Sequence, residues 1–160
     1  LPEKCASNRV ITEYLFGRGI DFEIINYCIS NDLIFESLPY HNVVFVGYDE
    51  KKEPKYAAYR STNKRRIMGD CSGSKKDYSF RLGKENLEEV HLFECAIDLL
   101  SYATLAKLNG QDWKEMRLCL AVRGVFSGKE IEDSKCRLHW KSILAVTHLS
   151  GKSVSILTMI

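Results

Sequence analysis

Between Asn8 and Gly17 the apolar residues Val10, Ile11, Tyr14 and Leu15 recur at intervals that line up one face of a helix. Ser7 or Asn8 can cap its start. A second helix is predicted to begin at the cap Asp21, run through Ile24, Ile25, Cys28 and Ile29, and stop at Asn31-Asp32. The period then changes. Asn42–Tyr48 and Lys55–Thr62 are rich in β-formers and flank the charged turn Asp49-Glu50-Lys51-Lys52-Glu53-Pro54, which predicts a hairpin. Tyr78–Leu82 alternates like a third strand, and Asn63–Lys76, with five Lys or Arg besides Gly69, Gly73 and Ser74, has the composition of an exposed loop.

Val90–Phe93 is a compact apolar strand, and Ala96–Leu108 is a helix with Ile97, Leu100, Ala103 and Leu105 expected on its apolar side. Gly110 closes that helix, and Arg117–Val122 reads as a further buried strand. A strand, a helix and a strand in that order are the unit of a parallel α/β sheet.

The chain has 160 residues, a length that suits one domain rather than a two-domain enzyme. With 45% hydrophobic and 28% charged residues it is of globular composition, which excludes disordered, collagen-like and coiled-coil readings. Apolar runs such as Val43–Val46 are too short to span a bilayer. Lys and Arg number 23 against 21 Asp and Glu, so no overall basic field points to nucleic acid, and local patches must carry any such argument. The first residue is Leu and no secretory signal opens the chain, so the expectation is an excised or incomplete cytoplasmic fragment. Six cysteines include no C-x-x-C pair, and several sit within apolar runs. Reduced, packed thiols are therefore expected rather than disulfides or a zinc site.

The candidate chemistry lies in Val90–Ser101. Glu94 falls at the carboxyl end of a strand and Asp98 lies four residues on, in the first turn of the next helix. In a parallel α/β sheet that edge is where ligands bind, and two carboxylates there can share a magnesium ion. The same two acids equally suit the first turn of a helix, where the dipole favours negative charge.

The stretch resembles the first motif of Toprim domains, the α/β module of primases, topoisomerases and related nucleases, in which a strand-ending Glu is followed four residues later by an Asp. Cys95 stands where the family usually has Gly. Upstream, Glu13–Ile20 is similar to the helix that precedes Toprim in bacterial primases. His41–Tyr48, Pro54–Arg60 and Gly73–Phe80 are similar to the small domain that precedes Toprim in primase-like proteins of mobile and conjugative elements. The resemblance covers about residues 1–126. It implies an α+β leader, two helices plus a β-hairpin, over 1–84, then the first half of a Toprim-like α/β parallel sheet over 85–134, and an atypical tail over 135–160. It further implies that Glu94 acts as general acid or base, that Glu94 and Asp98 belong to a magnesium-binding cluster, and that Arg60, Lys75 and Lys76 contact nucleic-acid phosphates. For those three cations a solvated basic loop stands as the alternative. DNA or RNA, and a helicase or relaxase of the same element, are the implied partners, with no membrane.

A Toprim domain also needs a later Asp-x-Asp, yet Lys135–Ile160 contains no acidic residue. Reading that segment so that each codon starts on the present third base forces Leu from His139-Trp140, Glu from Trp140-Lys141 and Asp from Met159-Ile160. Permissible codons then complete "LDND" over Ile156–Ile160, so a frameshift between about Ser127 and Lys135 is expected. As written, the chain is expected to turn nothing over. A non-catalytic nucleic-acid-binding or assembly module using Arg60, Lys64, Arg65, Arg66, Lys75 and Lys76 is the rival reading, and a plain structural domain the third.

Overall fold

A computed structural model describes residues 1–87 and 89–121 in full, and the backbone of 145–149 and 152–157. The chain divides into two compact units, Leu1–Phe80 and Arg81–Ile160, where its length suggested a single domain. Among the described residues no helix is long and apolar enough to cross a membrane.

Both helices of the first unit form where the apolar spacing places them. Helix α1 (Arg9–Gly17) buries Ile11 and Leu15, and α2 (Phe22–Ser30) buries Ile24, Ile25 and Cys28. The α2 start is capped locally, the Asp21 carboxylate accepting the Glu23 N–H at 2.9 Å. At α1 only the first N–H finds a local partner, that of Arg9 donating to Ser7 Oγ at 3.2 Å, and the next two are met from elsewhere. Asn8 occupies the N-cap position, but its Oδ1 accepts the N–H of Glu36 at 2.8 Å and leaves the helix N–H groups alone. Those of Val10 and Ile11 donate instead to Glu36 Oε2, at 2.9 and 3.3 Å.

Strands β1 (Ile34–Ser37), β2 (Asn42–Tyr48), β3 (Pro54–Arg60) and β4 (Met68–Asp70) make an antiparallel sheet in that order. The expected hairpin, β2–β3, is its centre rather than its whole extent. Strand β1 is only four residues long and buried throughout, so no alternation betrays it, and β4 is a three-residue edge strand inside the expected basic loop. Ile34 pairs with Phe45 and Phe45 with Ala58, while Phe35 pairs with Val44. Alternation therefore puts Phe35, Val44, Val46 and Ala57 in one cluster, with Tyr48, Tyr59 and Cys71 packed against it. The opposite face carries Ile34, Glu36, Val43 and Phe45, and α1 and α2 lie on β1. The register shifts between Gly47 and Tyr48, where the Tyr78 carbonyl approaches so closely that a Cβ on Gly47 would lie 1.7 Å from it.

Tyr78–Leu82 is not one strand. Lys76–Tyr78 is a 3-10 turn, Phe80 packs edge-on to Phe45 at 5.4 Å between ring centroids, and a new strand, β5 (Arg81–Gly83), begins the second unit. The alternation was real, but Phe80 and Leu82 are buried in different units.

In the second unit β6 (Val90–Phe93), helix α3 (Ala96–Leu108) and β7 (Arg117–Leu120) form the expected crossover, with β6 and β7 parallel. With β8 (Ala145–Leu149) and β9 (Lys152–Leu157) they complete a sheet of order β5-β7-β6-β9-β8. It is mixed, not parallel: β6 is parallel to β7 and β9, whereas β5 and β8 pair antiparallel at the edges. Helix α3 buries Ile97, Leu100 and Ala103 as expected, together with Leu99 and Ala106. Leu105 is 44% exposed, because the helical rotation carries it to the side opposite that buried arc. The region 122–144 and residues 158–160, which include Cys136, His139–Lys141 and Met159-Ile160 of the expected frameshift, lie outside the described residues.

Candidate functional site

Glu94 is the first residue beyond β6 and is exposed. Phe93 pairs with Leu120 on one side and Leu157 on the other, so the carboxyl ends of three parallel strands lie level beside it. Cys95 takes the α3 N-cap position without a side-chain cap, and Asp98 sits in the first turn, partly buried. The strand end and helix N-terminus thus converge as sequence reasoning anticipated. Among the described residues no group of three His, Cys, Asp or Glu side chains close enough to share a metal ion includes Glu94 or Asp98. Two carboxylates supply only part of the octahedral shell that magnesium demands.

His91 on β6 was not singled out in the sequence. Its ring lies 5.2 Å from that of Tyr102 on α3, its buried Nδ1 has no partner among the described residues, and its Nε2 lies 3.7 Å from Glu89 Oε1. Burial pushes its pKa below the ordinary value, only partly opposed by the charge of Glu89.

The cations of the first unit do not form one groove. Arg60 ends β3 and is only 8% exposed. Among the described residues its Nε finds no partner, and its Nη1 donates to Met68 Sδ at 3.6 Å. Lys75 is held at the other end of β3, its N–H donating to the Lys55 carbonyl at 2.8 Å, five residues and about 17 Å of strand away. Lys76 lies 4.0 Å from Asp70. Lys75 and Lys76 are exposed. The resemblance grouped Arg60 with them as phosphate contacts, whereas the length of β3 separates it from Lys75.

A different constellation forms around Glu36, which sequence reasoning passed over. Its side chain is 2% exposed, with Oε2 receiving the α1 N–H groups and Oε1 lying 2.5 Å from His41 Nδ1. Burial pushes this carboxyl up, but hydrogen bonds from His41 and from the N–H groups of Ile11 and Val10 outweigh it and hold the pKa below the usual value. The sulfur of Cys5 joins the group: one ligand atom from each of Cys5, Glu36 and His41 lies within 4.8 Å of the others. Separations of 31 and five residues make no motif a sequence could announce. Among the described residues Cys5, Cys28, Cys71, Cys95 and Cys119 are all free. Burial pushes the Cys28 thiol up to about 12, the behaviour of an inert packed group.

No curated protein matches the chain. Among solved structures, the primase fragment of the bacteriophage T7 primase-helicase protein is similar at 17% identity and a TM-score of 0.43, over 65% of this chain. The chain spans 40% of the length of that fragment. Residues 13–86, almost all within the first unit, match the family described as protein of unknown function (DUF3991).

Proposed function

We propose that the chain is part of a primase-like Toprim protein of a mobile genetic element, whose intact form carries out magnesium-dependent phosphodiester chemistry on DNA or RNA. The observation that carries this reading is the placement of Glu94 and Asp98. One lies just past a strand flanked by two parallel partners, the other in the first turn of the crossover helix. That edge is where an α/β sheet presents ligands. Glu94 is open to solvent and free to meet a substrate, and Asp98 is its companion toward magnesium. The end of β9, level with Phe93, is where a strand carrying the missing acids would deliver them. With the cluster incomplete, no catalytic step is assigned to the chain as written.

The incomplete cluster also favours a second reading, a nucleic-acid-binding module in which exposed Lys64, Arg65, Arg66, Lys75 and Lys76 meet backbone phosphates. The two are separated by the coding DNA, read in all frames from the codon for Gly124 past that for Ile160. On the first reading an adjacent frame continues through Asp-x-Asp, and the protein made from it alters oligonucleotides with magnesium but not after Glu94→Gln. If no frame continues, and oligonucleotide binding falls steeply with salt and survives Glu94→Gln, the binding module stands instead.

A further inference from the structure

We propose that Cys5, Glu36 and His41 form a binding site for a divalent transition-metal ion of the zinc type, separate from the carboxylates of the second unit. One sulfur, one oxygen and one nitrogen lie within 4.8 Å of one another. This mixed set suits zinc or cobalt and is foreign to magnesium. A tetrahedral zinc shell, with bonds of roughly 2.0–2.3 Å, sets its ligands about 3.3–3.8 Å apart. The sulfur, no more than 4.8 Å from either partner, needs to close by at most about 1.5 Å, and the 2.5 Å Oε1–Nδ1 pair to open by about 0.8 Å.

The backbone already holds all three residues. The Cys5 N–H donates to the Glu36 carbonyl at 2.7 Å, and that of Leu38 to the Glu3 carbonyl at 2.9 Å, so the first residues run as an edge on β1. The His41 N–H donates to the Ser37 carbonyl at 2.8 Å, and its own carbonyl accepts from Thr62 Oγ1 at 3.0 Å. Glu36 is divided by function: Oε2 stays committed to the N–H groups of Val10 and Ile11, which fixes the carboxylate plane and leaves Oε1 for the ion. Such outer hydrogen bonds are what orients a metal ligand. Cys5 and His41 are partly exposed, which leaves an entry path and room for water as the fourth ligand.

On binding, the sulfur–hydrogen bond of Cys5 gives way to a sulfur–metal bond and the proton passes to the buffer. The Nδ1–H bond that His41 directs at Glu36 also breaks, its proton passing to the buffer, and the ring coordinates through Nδ1 as the neutral form with a proton on Nε2, taken from the buffer if it is not already there. Thiolate and carboxylate together balance the charge of a divalent ion.

The test is titration of the reduced chain with Co(II), then displacement by Zn(II). Expected are one ion per chain, tetrahedral d–d bands and a thiolate-to-cobalt charge-transfer band. That band should vanish in Cys5→Ser and remain in Cys71→Ser and Cys95→Ser, which alter the other partly exposed thiols among the described residues. His41→Asn, chosen because Asn tolerates the left-handed backbone at φ 53, should weaken binding at least about tenfold, the scale of losing even an outer partner. Circular dichroism matching the parent chain excludes unfolding as the cause. The proposal is overturned by a charge-transfer band that survives Cys5→Ser, by one lost in either control, or by no band at all with a folded parent chain.

Discussion

Two glutamates divide this molecule between them. Glu36, in the first unit, is buried and hydrogen-bonded on both carboxylate oxygens, while Glu94, in the second, stands exposed at a strand end. Burial and hydrogen bonding commit Glu36 to holding α1, β1 and the following turn together. Exposure leaves Glu94 contributing little to the fold and available for chemistry. The exposed acid is therefore the one expected to matter less to the fold, and the buried, hydrogen-bonded one the one expected to matter more.

The largest effect expected from this contrast is that of Glu36→Ala. It strands the N–H groups of Val10 and Ile11 as well as His41, and should cost about 3 kcal/mol, measured by urea unfolding. Asp21→Ala removes the local cap of α2, a single bond at the surface, and should cost about 1 kcal/mol in the same measurement. If the two losses are equal, the long-range cap is no stronger than the local one and the contrast fails.

A third expectation concerns pH. The pKa of His91 is lowered in the folded chain, so below the ordinary value of 6.5 the unfolded chain binds more protons. Its contribution is complete above pH 6.5 and is lost as the pH falls through and below that value. His91→Phe, which keeps a ring against Tyr102, should flatten that acid-side decline, read from denaturation midpoints between pH 7 and pH 5. The smallest effect is that of Glu94→Gln, which should move stability by no more than about 0.5 kcal/mol. A larger loss would assign Glu94 to the architecture rather than to a site.

Much of the fold was legible because long elements repeat their pattern. Val10, Ile11 and Leu15 in α1, the run Asn42–Tyr48 and the Val90–Leu120 crossover all declare their period. Strand β1 was not legible, since Ile34–Ser37 is too short to repeat and all four residues are buried. Tyr78–Leu82 misled because an alternating pattern records burial but not which core each side chain enters. The position of Glu94 could be read because its neighbours in sequence are its neighbours in space. Cys5, Glu36 and His41 could not, because strand pairing and a left-handed backbone at His41 bring them together. Arg60 and Lys75 show the converse, close in composition but parted by the length of β3.

The cap that Glu36 lends to α1 also sets an order of events during folding. Helix α2 carries its own start signal in Asp21 and can begin from local contacts alone. Helix α1 has a local partner for the Arg9 N–H in Ser7, but its next two N–H groups are met by a carboxylate 26 and 25 residues downstream, so its first turn is completed only as β1 docks. That turn is therefore a late-forming element whose persistence reports on the sheet beneath it.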